Sequence, residues 1–190
     1  MGRNQFGTFM IIAPTSFFLG ILFTNLPFDY PTLWTTHPPT ESVLRTIESH
    51  YSHISLSPPL IPRVLNAMII LGLTGFLAKL ALYSPSESNY LFDGASLILY
   101  LIALVMYGTN LVQGLRIVES GTYGEEVGRV DTLKVMGATQ TMMALVLLGV
   151  LVLQAGQWYA EWKEAEEEKR IEKEQKEERE REGGKKSKKA

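Results

Sequence analysis

Hydrophobic and polar residues fall in long blocks along this chain rather than alternating residue by residue. Four apolar runs, Phe6 to Leu26, Val64 to Tyr83, Leu91 to Val112 and Val135 to Tyr159, each reach the roughly 20 residues a helix needs to cross a hydrocarbon core of about 30 Å. Lipid offers the backbone no hydrogen-bond partners, so segments of this kind must be helical. The pattern predicts an all-α, polytopic membrane protein. Residues 1–160 form a four-helix membrane domain, and residues 161–190 a charged tail that is helical or disordered. A mean hydropathy of only +0.05 hides this, because it averages an apolar domain against a tail of Glu, Lys and Arg that could not enter lipid.

The connections carry their own patterns. Residues 27–63 form the longest loop, rich in Pro, Ser and Thr. Within it Val43, Leu44, Ile47 and Tyr51 recur at helical spacing after Pro38-Pro39, predicting a short amphipathic helix that lies on the bilayer or on the bundle. Pro58-Pro59 and Pro62 end it. Ser84 to Tyr90 is short and polar, so spans two and three should form an antiparallel hairpin. In the tail, Glu166 with Arg170, Glu172 with Lys176 and Glu177 with Arg181 stand at i, i+4 and could support a solvated helix, which Gly183-Gly184 would end.

An even number of spans puts both termini on one side, and basic residues close to a span mark the cytosolic side. The tail is rich in Lys and Arg, whereas residues 27–62 hold only Arg45. Both termini are therefore expected in the cytosol and loop 27–63 in the lumen. Arg116, Arg129 and Lys134, in the other luminal connection, run against this rule. The first run is longer than a signal-peptide core and no small-residue cleavage motif follows it, so it is expected to be retained. Phe6 occupies the position where a myristoylation motif wants Ser or Thr.

Charge and composition then exclude several classes of function. The net charge of −2 gives no reason to expect nucleic acid. The absence of Cys removes thiolate chemistry and disulfides. His37, His50 and His53 share one loop but lack a third ligand at metal-site spacing. No paired acids, nucleophile elbow or phosphate loop appears. Neither a catalytic residue nor a cofactor is expected, and an enzyme is the least supported class.

Two charges interrupt the spans. Lys79 and Asp93 flank the turn between spans two and three at similar depth, where they could pair across the hairpin. Alternatively Lys79 snorkels to the headgroups while Asp93 starts its helix. Small and polar residues are frequent in the spans, among them Gly20, Ser96, Thr109 and Asn110. They either pack the bundle on itself or offer a surface to the spans of another membrane protein. Tyr30, Trp158, Tyr159 and Trp162 suit an interfacial aromatic belt.

Taken in order, these residues resemble one family. The stretch FFLGILFTNLPFDY, with Gly20, Asn25, Pro27, Asp29 and Tyr30, is similar to the first span and luminal entry of the fungal endoplasmic-reticulum membrane chaperones that package amino-acid permeases. His50-Tyr51, Ser96-Leu97, Leu99-Tyr100, Thr109-Asn110 with Gly114, and Gln154-Ala155-Gly156-Gln157-Trp158-Tyr159 before Trp162 extend the likeness from Phe17 to Trp162. The resemblance implies a non-enzymatic, multi-pass protein of the endoplasmic-reticulum membrane. Its partners would be newly made amino-acid permeases within the lipid bilayer and vesicle coat proteins at the tail. Lys186 and Lys188 resemble a cytosolic dilysine retrieval signal, which receptors read as an address. A small transporter or channel is the main alternative, although few polar groups line a midplane path.

Overall fold

The computed structural model describes residues 3–82, 87–124 and 127–187, all of whose regular structure is helical. The chain forms two compact units, Met1–Gln154 and Ala155–Ala190. The helices are α1 (Arg3–Leu33), α2 (Glu41–Ser55), α3 (Leu60–Leu82), α4 (Glu87–Met106), α5 (Val112–Ser120) and α6 (Arg129–Ser187), with a π-helical turn, Tyr107–Leu111, between α4 and α5. Among the described residues four stretches are long and apolar enough to cross a bilayer: Phe6–Leu33, Leu60–Ala81, Tyr90–Ser120 and Arg129–Glu177.

The elements differ from those read in the sequence at several places: the second span starts at Leu60 and takes in Pro62, the third runs on to Ser120 and the fourth starts at Arg129. The first span continues through Pro27 and Pro31 to Leu33, so the loop begins later than residue 27. A proline removes one backbone bond, but unwinding at this depth would strand several groups where lipid cannot satisfy them. The third span is not one regular α-helix. At the π turn the Val112 N–H donates to the carbonyl of Tyr107, five residues back. In the second unit the helix runs past Gly183-Gly184 to Ser187, and Arg170 Nε pairs forward with Glu174 Oε1 at 3.9 Å rather than back with Glu166. Ser84 to Ser86 of the expected turn and Lys188 lie outside the described residues.

The bundle core is apolar where the spans cross. Ile11, Leu22, Phe76, Tyr100, Ala103, Met143, Leu147 and Val150 form one buried cluster. Gly75 allows α1 and α3 to close up, since a Cβ there would stand 2.9 Å from Met10 Cβ. Leu44, Ile47 and Tyr51 of α2 join Leu111, Val118, Leu133 and Met136 in a second cluster. The amphipathic helix read in the loop is therefore present, and it packs on the bundle. Its apolar face is buried, with Tyr51 at 0 % exposure.

Candidate functional site

Polar side chains that the sequence scatters over five helices meet inside the first unit in two buried networks. The first lies under α2. Asn25 Nδ2 donates to Gln140 Oε1 at 2.6 Å, and Gln140 Nε2 donates to Tyr51 Oη at 2.6 Å and to Asp29 Oδ1 at 3.4 Å. The Tyr51 hydroxyl also donates to Asp29 Oδ1. His50 Nε2 lies 3.0 Å from Asn25 Oδ1. The Asn25 oxygen can only accept, so this nitrogen carries the proton. The His50 ring stacks on Phe28 with centroids 3.6 Å apart. Helical geometry explains the convergence: Asn25 and Asp29 are four apart and share a face of α1, and His50 and Tyr51 hang from the overlying α2.

Outside the spans, the α2 groups have shifted protonation equilibria. Burial, with the charge of His53, holds His50 below the usual histidine range. Burial, reinforced by the Asp29 charge, raises the Tyr51 hydroxyl. These shifts favour neutral forms, which suits a network inserted into the edge of a bilayer.

The second network lies near the other end of the spans. Lys79 Nζ stands 2.7 Å from Asp93 Oδ1 and donates to Gln154 Oε1 at 3.0 Å. Gln154 Nε2 donates onward to Asp93 Oδ1 at 3.1 Å and Ser96 Oγ at 3.2 Å. The ion pair is thus buried and joins α3, α4 and α6. Lys79 does not snorkel, because leaving the pair would strand the Asp93 charge in a water-poor site.

A surface clamp fixes α2 from outside. Arg129, at the start of α6, donates to Glu48 Oε2 at 2.5 Å and to Glu41 Oε2 at 2.8 Å, and Tyr123 donates to Glu48. The hydrogen bond from Arg129 is the chief reason the Glu48 carboxyl sits below its usual range, with burial opposing. Ser55 donates to Glu119. Arg129, which runs against the charge rule when read in sequence, therefore has a local structural role.

The other residues singled out in sequence are dispersed. Gly20 has open space beside it, while Pro27 and Tyr30 face outward from α1. Tyr100 packs against Gly72 and Phe76, and its buried hydroxyl has no hydrogen-bond partner among the described residues. Thr109 Oγ1 donates to the Val105 carbonyl at 2.8 Å, and Asn110 Nδ2 reaches Thr139 Oγ1 at 3.3 Å. In the second unit Gly156 is half-buried and Trp158 exposed. Lys186 falls in the last turn of helix. Gln140, the hub of the first network, is absent from the residues singled out as candidates, although an amide inside an apolar run is the signal that could have found it. Among the described residues no group of three His, Asp or Glu side chains could hold a metal ion.

Comparison with known proteins gives the family of the chain. A family model named SHR3 chaperone, described as ER membrane protein SH3, matches residues 2–190. The chain is 26% identical over 146 residues to the secretory component protein psh3 of Schizosaccharomyces pombe, a match covering 77% of this chain and 66% of that protein. The match thus falls just short of two thirds of the relative's length. No solved structure matches the chain.

Proposed function

From the premise that this chain belongs to the SHR3 family of endoplasmic-reticulum membrane chaperones, we propose that it assists the folding of newly inserted amino-acid permeases and their packaging into coated transport vesicles. The family match along nearly the whole chain carries this reading, and the family points to a non-enzymatic role. The physics supports it. A half-assembled transporter exposes polar faces and broken helices that lipid cannot satisfy, and a bundle offering polar and small residues at the same depth could cover them. Both termini face the cytosol in this reading, so the tail meets coat proteins while α2 and its clamp lie in the lumen. The apolar packing of the span core favours this reading over transport.

Deleting the protein tests the proposal. Amino-acid permeases should become insoluble in mild detergent and remain in the endoplasmic reticulum, while unrelated membrane proteins reach the cell surface. Normal permease traffic with loss of a single solute's flux would instead show a transporter. An engineered glycosylation acceptor near Thr36, in the exposed α1–α2 connection, should be modified, and a reporter after Ala190 should not. The reverse pattern would invert the topology.

A further inference from the structure

Beside the π turn, between the third span and the start of α6, the bundle leaves a lateral groove of about 580 Å³ whose lining includes Thr109, Asn110, Gln113, Thr132, Val135 and Met136. The turn sets Gly108, Thr109 and Asn110 on three successive exposed positions, and Gln113 is exposed one turn further on. These exposed groups fall inside the third candidate span, Tyr90–Ser120. Thr139, the partner of Asn110, is ten residues along α6 from Arg129, or about 15 Å at the helical rise, and Arg129 marks the surface through its ion pairs to α2.

Asn110 spends one amide hydrogen on Thr139. Among the described residues its Oδ1 accepts no hydrogen bond, and the Gln113 carboxamide makes none. Lipid tails cannot supply the missing partners, and unsatisfied amides in hydrocarbon cost free energy. Whatever covers this groove must bring donors and acceptors to that depth while keeping its own backbone satisfied, which describes a transmembrane helix with a polar side chain. Gly108 has nothing within 4 Å of where a Cβ would stand, so a neighbouring backbone could approach closely there. A second copy of this chain fits less well, since a two-fold contact would set groove against groove and leave a void. π turns inside helices frequently mark functional positions.

We propose that this groove is the docking site for one helix of a newly inserted client, which places an amide or hydroxyl side chain against Asn110 and Gln113. The inference rests on the chaperone reading and adds to it the surface that meets the client. It also divides the two asparagines: Asn25 is locked into the network under α2, whereas Asn110 is the one presented to a partner.

The experiment places a photoreactive amino acid at position 113 of the full-length protein in microsomes and, for comparison, at position 98, where Ile98 is 60% exposed on α4. Radiolabelled, newly synthesised amino-acid permease should crosslink at 113 and not at 98, and the adduct should fade as the permease matures. Gln113→Leu removes no hydrogen bond made among the described residues, so it should leave the protein's thermal stability unchanged. It should nonetheless reduce permease co-capture by about threefold or more, the size expected of an interhelical polar contact in lipid. Asn110→Leu should do the same and Asn110→Gln should restore capture. Adducts at 98 alone, adducts between two copies of the chaperone, or lipid adducts only, in cells whose permeases still depend on the protein, would overturn the groove and leave the chaperone reading standing. Permeases that fold and travel normally without the protein would instead remove the reading on which it rests.

Discussion

Lys79 and Asp93, fourteen positions apart on two helices of a hairpin, meet through a 2.7 Å ion pair with both side chains almost wholly buried, and Gln154 hydrogen-bonds to both. The arrangement ties three helices at one depth. Lys79→Ala should destabilise the protein by about 3–5 kcal/mol, because it leaves the Asp93 charge buried without its partner. Lys79→Met with Asp93→Leu should cost far less, since neither charge then remains to be solvated. Thermal denaturation in detergent, read by loss of solubility, compares the two, and a double variant as damaged as the single one would contradict the argument.

Tyr100 gives a prediction of opposite sign. Its hydroxyl is buried without a partner among the described residues, a situation that costs about 1–3 kcal/mol. Tyr100→Phe keeps the ring against Phe76 and Gly72 and should leave stability unchanged or raise it. A clear loss of stability would mean that the hydroxyl has a partner in the membrane.

Gly75 and Gly94 form a matched pair for testing the packing of the spans. Alanine at Gly75 would drive its Cβ to 2.9 Å from Met10 Cβ and 3.1 Å from the Met10 backbone, neither of which can move cheaply. The expected cost is about 1–3 kcal/mol. Alanine at Gly94 meets nothing within 4 Å and should be neutral or better, as alanine favours helix over glycine. Equal effects at the two sites, measured by thermal denaturation, would show that α1 and α3 do not pack this closely.

Docking of α2 should depend on pH in two windows. His50 binds its proton less readily when folded, so just below its ordinary value near 6.5 the unfolded chain binds more protons and stability rises with pH. That contribution is complete above about 6.5 and is lost on acidification. Glu48, also held below its usual range, follows the same sign lower down: its contribution is present above the ordinary carboxylate value and lost as pH falls through the depressed one. Hydrogen exchange of the α2 amides, corrected for intrinsic rates, should therefore show the helix loosening as the pH falls below about 6.5. His50→Gln should abolish this first step, and an unchanged pH response in that variant would assign it elsewhere.

Hydropathy by itself determined the fold class of this chain, its spans and the amphipathic α2, because lipid allows a long apolar segment no structure but a helix and α2 carries its apolar residues at helical spacing. The ordered motifs from Phe17 to Trp162 also carried the family. Tertiary structure decided which polar residues meet. Asn25 and Asp29 stand more than a hundred positions from Gln140, and nothing in their spacing says that they share a network. Span length likewise leaves each helix free to rotate and tilt, and only packing against its neighbours fixes that rotation. The same rotation turns Lys79 inward to Asp93 and leaves Asn110 facing an open groove. The π turn was hidden for a related reason, since one extra residue in a helical turn barely alters a hydrophobic pattern yet redirects the side chains it carries.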